Sequence, residues 1–391
     1  MMRRVVRWVG MLGLVLGLMA SPVAEAAGKP AGRPPGAAAA ETLSQVTGIA
    51  ISPLLGVGAV GAYRYFKTPE SGRAALSWYA QPWFWGPALL VVGLCALKDA
   101  LGTAVPTALK KPLDVAEVFE NKLSGLIATG AILPMTLDLF RTLGLEGQAG
   151  MAGAGLAALD ANGLLGLLMV PVAFIAYAAV FLVSHAINIL ILVSPFGTVD
   201  AALKSLRTGL LATVAGTSFV DDRLGAAWAL VIVLACLPLA GWALRLAIFG
   251  HVFAWDYVSL ASARTRVGGG PLRAFLARRV GHAPRRTYGT VSRDPAGNMV
   301  FTWRPWLVGS PRSVQLPASA HAIGRGLLHS ELLETRGEDS DDVLNFPPRY
   351  NTHEPALAEA LGLSEVRDVG LRAMWAWVRS LFGGRPATTA R

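Results

Sequence analysis

The feature that most constrains this chain is a long run of residues without charge. Residues 163–199 contain no Asp, Glu, Lys or Arg, and residues 225–251 contain a single one, Arg245. Each run exceeds the roughly 20 apolar residues that cross a bilayer. The composition agrees, since 53% of the residues are hydrophobic and 15% are charged, whereas an ordinary soluble domain has about 25% charged residues. The sequence therefore predicts an integral membrane protein.

The N-terminus is typical of an export signal. Three arginines within the first seven residues precede an apolar stretch at 8–20, and residues 24–26 (AEA) match the small-x-small cleavage pattern. The apolar stretch is too short for a comfortable span, so we predict a signal peptide at 1–26. The Pro/Gly/Ala-rich sequence that follows predicts a flexible leader at 27–45.

Six apolar segments follow the leader, and they predict an all-α helical membrane bundle of about five or six spans over 46–253. The segment at 163–194 is long for one span, and a kink at Pro171 or a tilt would accommodate the excess. The segment at 205–220 is short, so it could enter and leave on one side, provided that protein or a water-filled cavity covers it. The six segments are 46–66, 83–103, 123–143, 163–194, 205–220 and 225–253.

The region after the last segment is basic. Residues 263–286 include seven arginines and no acidic residue, and basic residues beside a span stay in the cytoplasm. We therefore predict a multi-pass protein of the bacterial inner (cytoplasmic) membrane with a cytoplasmic C-terminus. Residues 254–286 would form a basic juxtamembrane segment. β-prone runs around a turn at 294–298 predict a small α+β module with β-strands over 287–391.

Two stretches of the C-terminal region have the periodicity of amphipathic helices. Residues 271–280 and 371–382 each place apolar side chains on one face and arginines elsewhere, as helices on an anionic membrane surface do. A solvated linker explains the first equally well, and packing on the module explains the second. The residues predicted to contact anionic lipid head groups are Arg273, Arg278, Arg279, Trp375 and Arg379. We predict no nucleic-acid partner, because only Phe275 interleaves with the basic residues of 264–286.

Charged residues beside the apolar segments predict a polar site in the membrane half. Basic and acidic residues are equal in number between 98 and 122, which fits internal pairing or the lining of a pocket. The Ser-Pro dipeptides at 52–53 and 194–195 each meet an apolar segment, and paired helix breaks mark binding sites in transporter folds. The residues predicted to bind a small polar or anionic solute are Lys98, Asp99, Lys110, Lys111, Asp114, Lys204 and Arg207.

Other polar side chains in the membrane half have simpler explanations. His185 and Asn188 share one face of the longest apolar segment, where we expect interhelical hydrogen bonds. Cys95 and Cys236 lie inside apolar segments and are expected to pack as small hydrophobic residues. The sequence has no metal-ligand spacing, and we predict neither a metal nor a cofactor.

Three functions remain open at this point. The preferred hypothesis is a non-enzymatic membrane protein that binds or passes a small polar or anionic solute. The alternative is a membrane-anchored scaffold that recruits a protein partner through the module at 287–391. A membrane enzyme that acts on lipids is least favoured, because the sequence has no GxSxG elbow, no HExxH and no phosphate-binding glycine loop. Its only weak candidates are His185, Asp221 and Asp222.

The predicted topology contains one conflict. A cleaved signal starts the mature chain outside, so crossings at 46–66 and 83–103 would leave Lys110, Lys111 and Lys122 outside, against the positive-inside tendency. Either 46–66 does not fully cross, or the signal is retained as an anchor, or these lysines are paired within the fold.

A set of residues in the membrane half is shared with one known family. The set consists of Pro82, Trp83, Asp99, Pro106, Asp114, Lys204, Arg207, Asp221, Asp222 and Pro238. On these residues the stretches 83–125 and 203–244 resemble an uncharacterised bacterial family of multi-spanning integral membrane proteins, catalogued as a domain of unknown function. The chain departs from the family pattern at Lys98, where an acidic residue is expected, and it adds the C-terminal module. The resemblance implies a multi-spanning membrane protein and no defined activity.

Overall fold

The chain is organised as two compact units. The computed structural model describes residues 35–100, 124–132, 134, 161–194, 197–268, 270–317, 320–336, 339–370 and 372. The units are Met1–Ala243, here called the helical unit, and Leu244–Arg391, here called the sheet unit. The predicted signal peptide at 1–26 lies outside the described residues.

Three helices of the helical unit begin with a proline. Pro35, Pro53 and Pro82 each stand at a first helical position, where no N–H is needed and φ is already set. The helices are α1 (Pro35–Ile51), α2 (Pro53–Lys67), α3 (Pro82–Ala100), α4 (Ala161–Val193), α5 (Gly197–Val220) and α6 (Asp222–Val258), which continues into the sheet unit. Turns of 3₁₀ helix at Glu70–Ala75 and Trp78–Ala80 lie between α2 and α3, and residues 124–132 are helical. Residues 35–45, predicted as flexible leader, are thus part of α1.

Side chains from separate helices form the core of the helical unit. Val46 and Ile49 of α1, Tyr79, Ile132 and Val180 of α4 are at most 2% exposed and belong to one apolar cluster. Full burial of a large aliphatic side chain contributes about 1.5–3 kcal/mol. The core therefore ties α1 and α4 to the segments at 78–80 and 124–132.

Close packing of α2 against the 3₁₀ turn at Trp78–Ala80 depends on Gly61. A Cβ atom at this position would lie 2.1 Å from the backbone oxygen of Tyr79, so the two segments would have to move apart. We expect Gly61→Ala to destabilise the helical unit by about 1–3 kcal/mol, the usual cost of overpacking. At Gly209 in α5 nothing lies within 4 Å of such an atom, and Gly209→Ala should stabilise by about 0.5–1 kcal/mol. Thermal unfolding in detergent measures both variants, and shifts of the same sign would contradict the prediction.

The sheet unit is built around one mixed sheet. Its strands are β1 (Leu272–Leu276), β2 (Tyr288–Arg293), β3 (Met299–Trp303), β4 (Arg312–Gln315), β5 (Ala320–Arg325), β6 (Ser330–Arg336), β7 (Asp339–Asn345) and β8 (Val366–Asp368), and α7 (Glu354–Ala360) precedes β8. Among the described residues the sheet has eight strands in the order β4-β3-β2-β1-β7-β6-β5-β8. Neighbouring strands are antiparallel, except that β5 and β8 run parallel.

One face of the sheet encloses an apolar core with α7. Leu272, Ala274 and Leu276 alternate along β1 and join this core, as do Phe301 of β3 and Leu357 of α7. The turn at 294–298 was predicted from the sequence and is confirmed between β2 and β3. There the Asp294 carboxylate accepts a 2.8 Å hydrogen bond from the backbone N–H of Asn298, and its hydrogen bonds with Asn298 lower the pKa of Asp294.

The other face of β1 receives the C-terminal part of α6. Phe275 is fully buried, and its ring lies 5.1 Å from that of Phe249 and 5.8 Å from that of Phe253, both measured between centroids. Such edge-to-face pairs contribute about 0.5–1.5 kcal/mol beyond the buried area. Residues 244–258 of α6 are therefore part of the packing of the sheet unit.

The prediction of an all-α membrane bundle with five or six spans is wrong. Within the described residues two stretches are long and apolar enough to cross a membrane, Pro171–Ile191 in α4 and Asp222–Val258. The segment at 46–66 is divided between α1 and α2, because Pro53 lacks the N–H that would continue the helix. In α3 the apolar stretch with described side chains is Pro82–Gly93, which is shorter than a span. Most of the segment at 123–143 lies outside the described residues.

The expected small C-terminal module with amphipathic helices is also corrected. Residues 272–276 of the stretch at 271–280 are strand β1, paired with β2 and β7. Ten residues are too few to separate a helical period from the alternation of Leu272, Ala274 and Leu276, and pairing with distant strands decides the outcome. The second predicted helix, at 371–382, lies outside the described residues apart from the backbone of Arg372.

Candidate functional site

A helix break places a backbone carbonyl group at the centre of the helical unit. Ser52 is extended between α1 and α2, with φ −140° and ψ 91°, so Ile51 is the last residue of α1. The last carbonyl groups of a helix have no intrahelical partner. Because Ile51 is 3% exposed, its carbonyl oxygen requires donors from elsewhere in the protein.

Two other helices supply these donors. The hydroxyl of Ser184 in α4 donates to the Ile51 oxygen at 2.6 Å, and Nε of Arg207 in α5 donates to the same oxygen at 2.9 Å. Arg207 also donates through Nη1 to Oδ1 of Asn188 at 2.8 Å. Ser184 and Asn188 are buried. The interhelical hydrogen bond expected for Asn188 is thus present, and one guanidinium links α1, α4 and α5.

The structure describes the side chains of only two of the seven predicted solute-binding residues, Lys204 and Arg207. Arg207 donates to acceptors of the protein itself, and Lys204 lies one turn earlier on α5. Lys98 and Asp99 belong to the last turn of α3, where the side chains are not described. Lys110, Lys111 and Asp114 lie outside the described residues. The described part of the chain therefore brings together Lys204 and Arg207 on one helix, and the site predicted from all seven residues stays a prediction.

A cavity of about 230 Å³ lies between α1, α2 and α5. Its wall is mainly apolar and includes Ile49, Val60, Leu211, Val214 and Phe219. Its polar lining consists of Glu41, Ser44, Gln45, Tyr63, Ser218 and Asp222. Among the described residues two carboxylates and no Lys, Arg or His line this cavity, and this part of the lining suits a cation or a hydrogen-bond donor.

Hydrogen bonding around the cavity leaves one acceptor unused. Nε2 of Gln45 donates to Oε1 of Glu41 at 3.0 Å, which fixes the orientation of the amide. The Oε1 atom of Gln45 is buried and has no hydrogen-bond partner among the described residues. A buried acceptor without a donor costs about 1–3 kcal/mol. The hydroxyls of Ser44 and Ser218 donate to the carbonyls of Ala40 and Val214 within their own helices, so neither satisfies it.

Sequence reasoning missed this cavity because it assigned its first wall to a flexible leader. Glu41 and Gln45 are four residues apart and share one helical face, and this spacing was the available signal. In α5, the other wall, the sequence drew attention to the charged residues Lys204 and Arg207 and not to the apolar residues that line the cavity. Asp222 stood out only as the neighbour of Asp221, because nothing in the sequence indicates which helices surround it.

The sheet unit has a buried ion pair of its own. Both carboxylate oxygens of Asp256 in α6 accept 2.7 Å hydrogen bonds from the guanidinium of Arg349, and Oδ2 also accepts a 3.1 Å bond from the Arg349 backbone N–H. The Asp256 side chain is 1% exposed. These bonds raise the pKa of the Arg349 guanidinium above its ordinary value. Bidentate geometry of this kind belongs to the strongest charge-assisted hydrogen bonds.

Three of the residues predicted to contact lipid head groups are described in the sheet unit. Arg278 pairs with the buried carboxylate of Glu334 and, at 3.2 Å, with Asp341. Arg273 is an exposed residue of β1, 3.3 Å from the hydroxyl of Tyr288, and exposed Arg279 donates to the carbonyl of Gly281. Trp375 and Arg379 lie outside the described residues. Among those described, no group of three or more His, Cys, Asp or Glu side chains could hold a metal ion.

The chain matches no protein-family model, no curated protein and no solved structure. The resemblance to an uncharacterised family of multi-spanning membrane proteins therefore stays an expectation from the sequence.

Proposed function

We propose that this chain is a membrane protein whose helical unit binds a small amine with an apolar tail, in the cavity between α1, α2 and α5. The observation that carries the proposal is the polar lining of that cavity. Glu41 and Asp222 provide negative charge, and the unused Oε1 of Gln45 needs an N–H or O–H donor. A protonated primary amine supplies positive charge and donors at one end, and its tail suits the apolar wall.

The sequence predicted a small polar or anionic solute, and the proposal keeps the polar solute but not the anion. The cavity disfavours an anion because two carboxylates line it. Two of the positive side chains that suggested an anion are described, Lys204 and Arg207, and neither is part of the described lining. Arg207 donates hydrogen bonds to the Ile51 carbonyl oxygen and to Oδ1 of Asn188.

Membrane insertion is the second part of the proposal. Support comes from Pro171–Ile191 and Asp222–Val258, which are long and apolar enough to cross a bilayer. The apolar stretch of α4 is 56% buried in protein, and that of α6 is 33% buried. We infer a bacterial inner-membrane location with the sheet unit in the cytoplasm, because arginines follow α6 and basic residues beside a span stay inside.

Hexylammonium and hexanoate form a matched pair of ligands for testing the amine site. We expect hexylammonium to raise the Tm of the detergent-solubilised protein and hexanoate to leave it unchanged, because only the cation complements the lining. Glu41→Gln keeps the shape of the side chain and should weaken hexylammonium binding about tenfold or more, since a charged hydrogen bond contributes about 1.5–3 kcal/mol. Isothermal titration calorimetry measures the Kd.

Glu70→Gln is the control for this experiment, because Glu70 is an exposed residue outside the cavity lining. It should bind hexylammonium as the unsubstituted protein does. Equal binding of hexanoate and hexylammonium, or an unchanged Kd in Glu41→Gln, would remove the amine from the proposal.

A further inference from the structure

The 37 residues of α6 are too many for one crossing. At 1.5 Å per residue the helix is roughly 55 Å long, against a hydrocarbon thickness of about 30 Å. The sequence predicted a span at 225–253, which would hold Arg245 inside the hydrocarbon region. An arginine at mid-span costs about 2.5–3.5 kcal/mol on insertion scales. Part of α6 must therefore owe its apolar character to something other than lipid.

Burial along α6 divides the helix into two parts. From 224 to 242 the exposed residues lie on one side of the helix and form one stripe along it. The stripe consists of Leu224, Ala227, Val231, Ala235, Pro238, Leu239 and Trp242. From 243 to 254 no residue is fully exposed. In this second part Phe249 and Phe253 pack on Phe275 of the sheet unit.

We propose that lipid acyl chains contact α6 only along this stripe, so that the bilayer crossing is 224–242 and the remainder of α6 is the first element of the sheet unit. The stretch 224–242 is roughly 28 Å long, close to the thickness of the hydrocarbon region. This inference rests on the proposed membrane insertion of α6, which it narrows.

The residues at both ends of the stripe fit the two faces of a bilayer. Asp221, Asp222 and Arg223 stand immediately before it, and Asp221 caps the helix by accepting hydrogen bonds from the backbone N–H groups of Arg223 and Leu224. Trp242 lies at the other end of the stripe. This position suits a bilayer face, because tryptophan is enriched at membrane interfaces. Arg245 follows within one turn of Trp242, beyond the end of the proposed crossing. The boundary between the two compact units, Ala243/Leu244, coincides with this end.

Two positions of the stripe distinguish this crossing from the longer one. A crossing at 224–242 has its centre near 233, so Val231 lies deeper than Leu239. A crossing at 225–253 has its centre at 239, so the order is reversed. Both side chains are exposed, Val231 at 52% and Leu239 at 46%, and a fluorophore attached at either position faces outward.

The test uses the full chain with Cys95→Ala and Cys236→Ala, reconstituted in vesicles of phosphatidylcholine and phosphatidylglycerol. A nitrobenzoxadiazole fluorophore is placed at Val231→Cys, Leu239→Cys or Ile248→Cys, and its depth is measured by quenching with doxyl lipids and with aqueous iodide. We expect Val231 to be deeper than Leu239, and Ile248 to be quenched by iodide and not by the acyl-chain doxyl lipid.

The three outcomes distinguish a failure of the proposed boundary at 242 from a failure of the proposed membrane insertion of α6. A Leu239 fluorophore deeper than that at Val231, or lipid quenching at Ile248, would overturn the boundary and leave membrane insertion intact. No lipid quenching at any of the three positions would overturn both. The order Val231, Leu239, Ile248 from deep to shallow supports the crossing at 224–242.

Discussion

Replacing Arg349 with alanine should lower the free energy of unfolding of the sheet unit by about 3–5 kcal/mol, the cost of breaking a buried ion pair by removing one partner. The substitution removes the two side-chain hydrogen bonds from Arg349 to the Asp256 carboxylate, which is 1% exposed. The bond from the backbone N–H of residue 349 remains. Hydrogen exchange of the β-strand amides measures the loss within this unit. Because Asp256 belongs to α6, we also expect faster exchange in the last turns of that helix.

Arg279→Ala is the matched control, since Arg279 is exposed and its side chain bonds only the Gly281 carbonyl among the described residues. Its effect should stay within about 0.5 kcal/mol. The double variant Asp256→Leu/Arg349→Leu should recover much of the lost stability, because apolar pairs often replace buried ion pairs without loss. A loss for Arg349→Ala no larger than that for Arg279→Ala would show that the pair contributes little.

Local signals in the sequence identified the features that depend on short-range chemistry. The turn at 294–298 follows from an Asp-Pro-Ala-Gly-Asn sequence, in which the aspartate bonds the backbone a few residues on. The partner of Asn188 was expected across a helix interface because an amide in an apolar run needs one. Apolar length also pointed to α4 and α6, which hold the two stretches of the described chain that are long and apolar enough to cross a bilayer.

Hydropathy alone could not tell lipid-facing from protein-facing residues, and this explains the excess of predicted spans. Apolar residues of α1 and α2 pack in the core of the helical unit rather than against lipid, and Val46 and Ile49 are fully buried there. The end of α6 is apolar because Phe249 and Phe253 cover Phe275. Burial in protein and burial in lipid select the same residue types, so the distinction appears only with the packing.

Long-range pairings account for the rest of what the sequence did not reveal. Strand β1 pairs with β7 about 70 positions later in the chain, and no ten-residue pattern contains that information. The Asp256–Arg349 pair joins residues 93 positions apart. The cavity requires α1 to lie beside α5. That arrangement involves the helix break at Ser52, because the Ile51 carbonyl oxygen at the break accepts a hydrogen bond from Arg207 of α5.

Arg207→Ala tests whether this residue holds the helices together or binds solute. The substitution removes the donor to Oδ1 of Asn188 and one of the two donors to the Ile51 oxygen. Each buried acceptor left unsatisfied costs about 1–3 kcal/mol, and Ser184 still serves Ile51. We therefore expect the helical unit to lose about 2–4 kcal/mol of stability in thermal unfolding. Arg207→Lys should restore only part of it, because an ammonium lacks the planar fork that reaches two acceptors.

Arg223→Ala controls for the loss of one positive charge, since Arg223 is exposed at the start of α6, and its effect should stay within about 0.5 kcal/mol. Under conditions where the Arg207→Ala protein remains folded, the Kd for hexylammonium should be unchanged, because Arg207 is outside the cavity lining. If instead stability is retained while binding of an anion such as hexanoate is lost, Arg207 is a solute ligand, as first predicted from the sequence. The arginine at the helix break would then serve transport or binding, and the cavity would not be the main site.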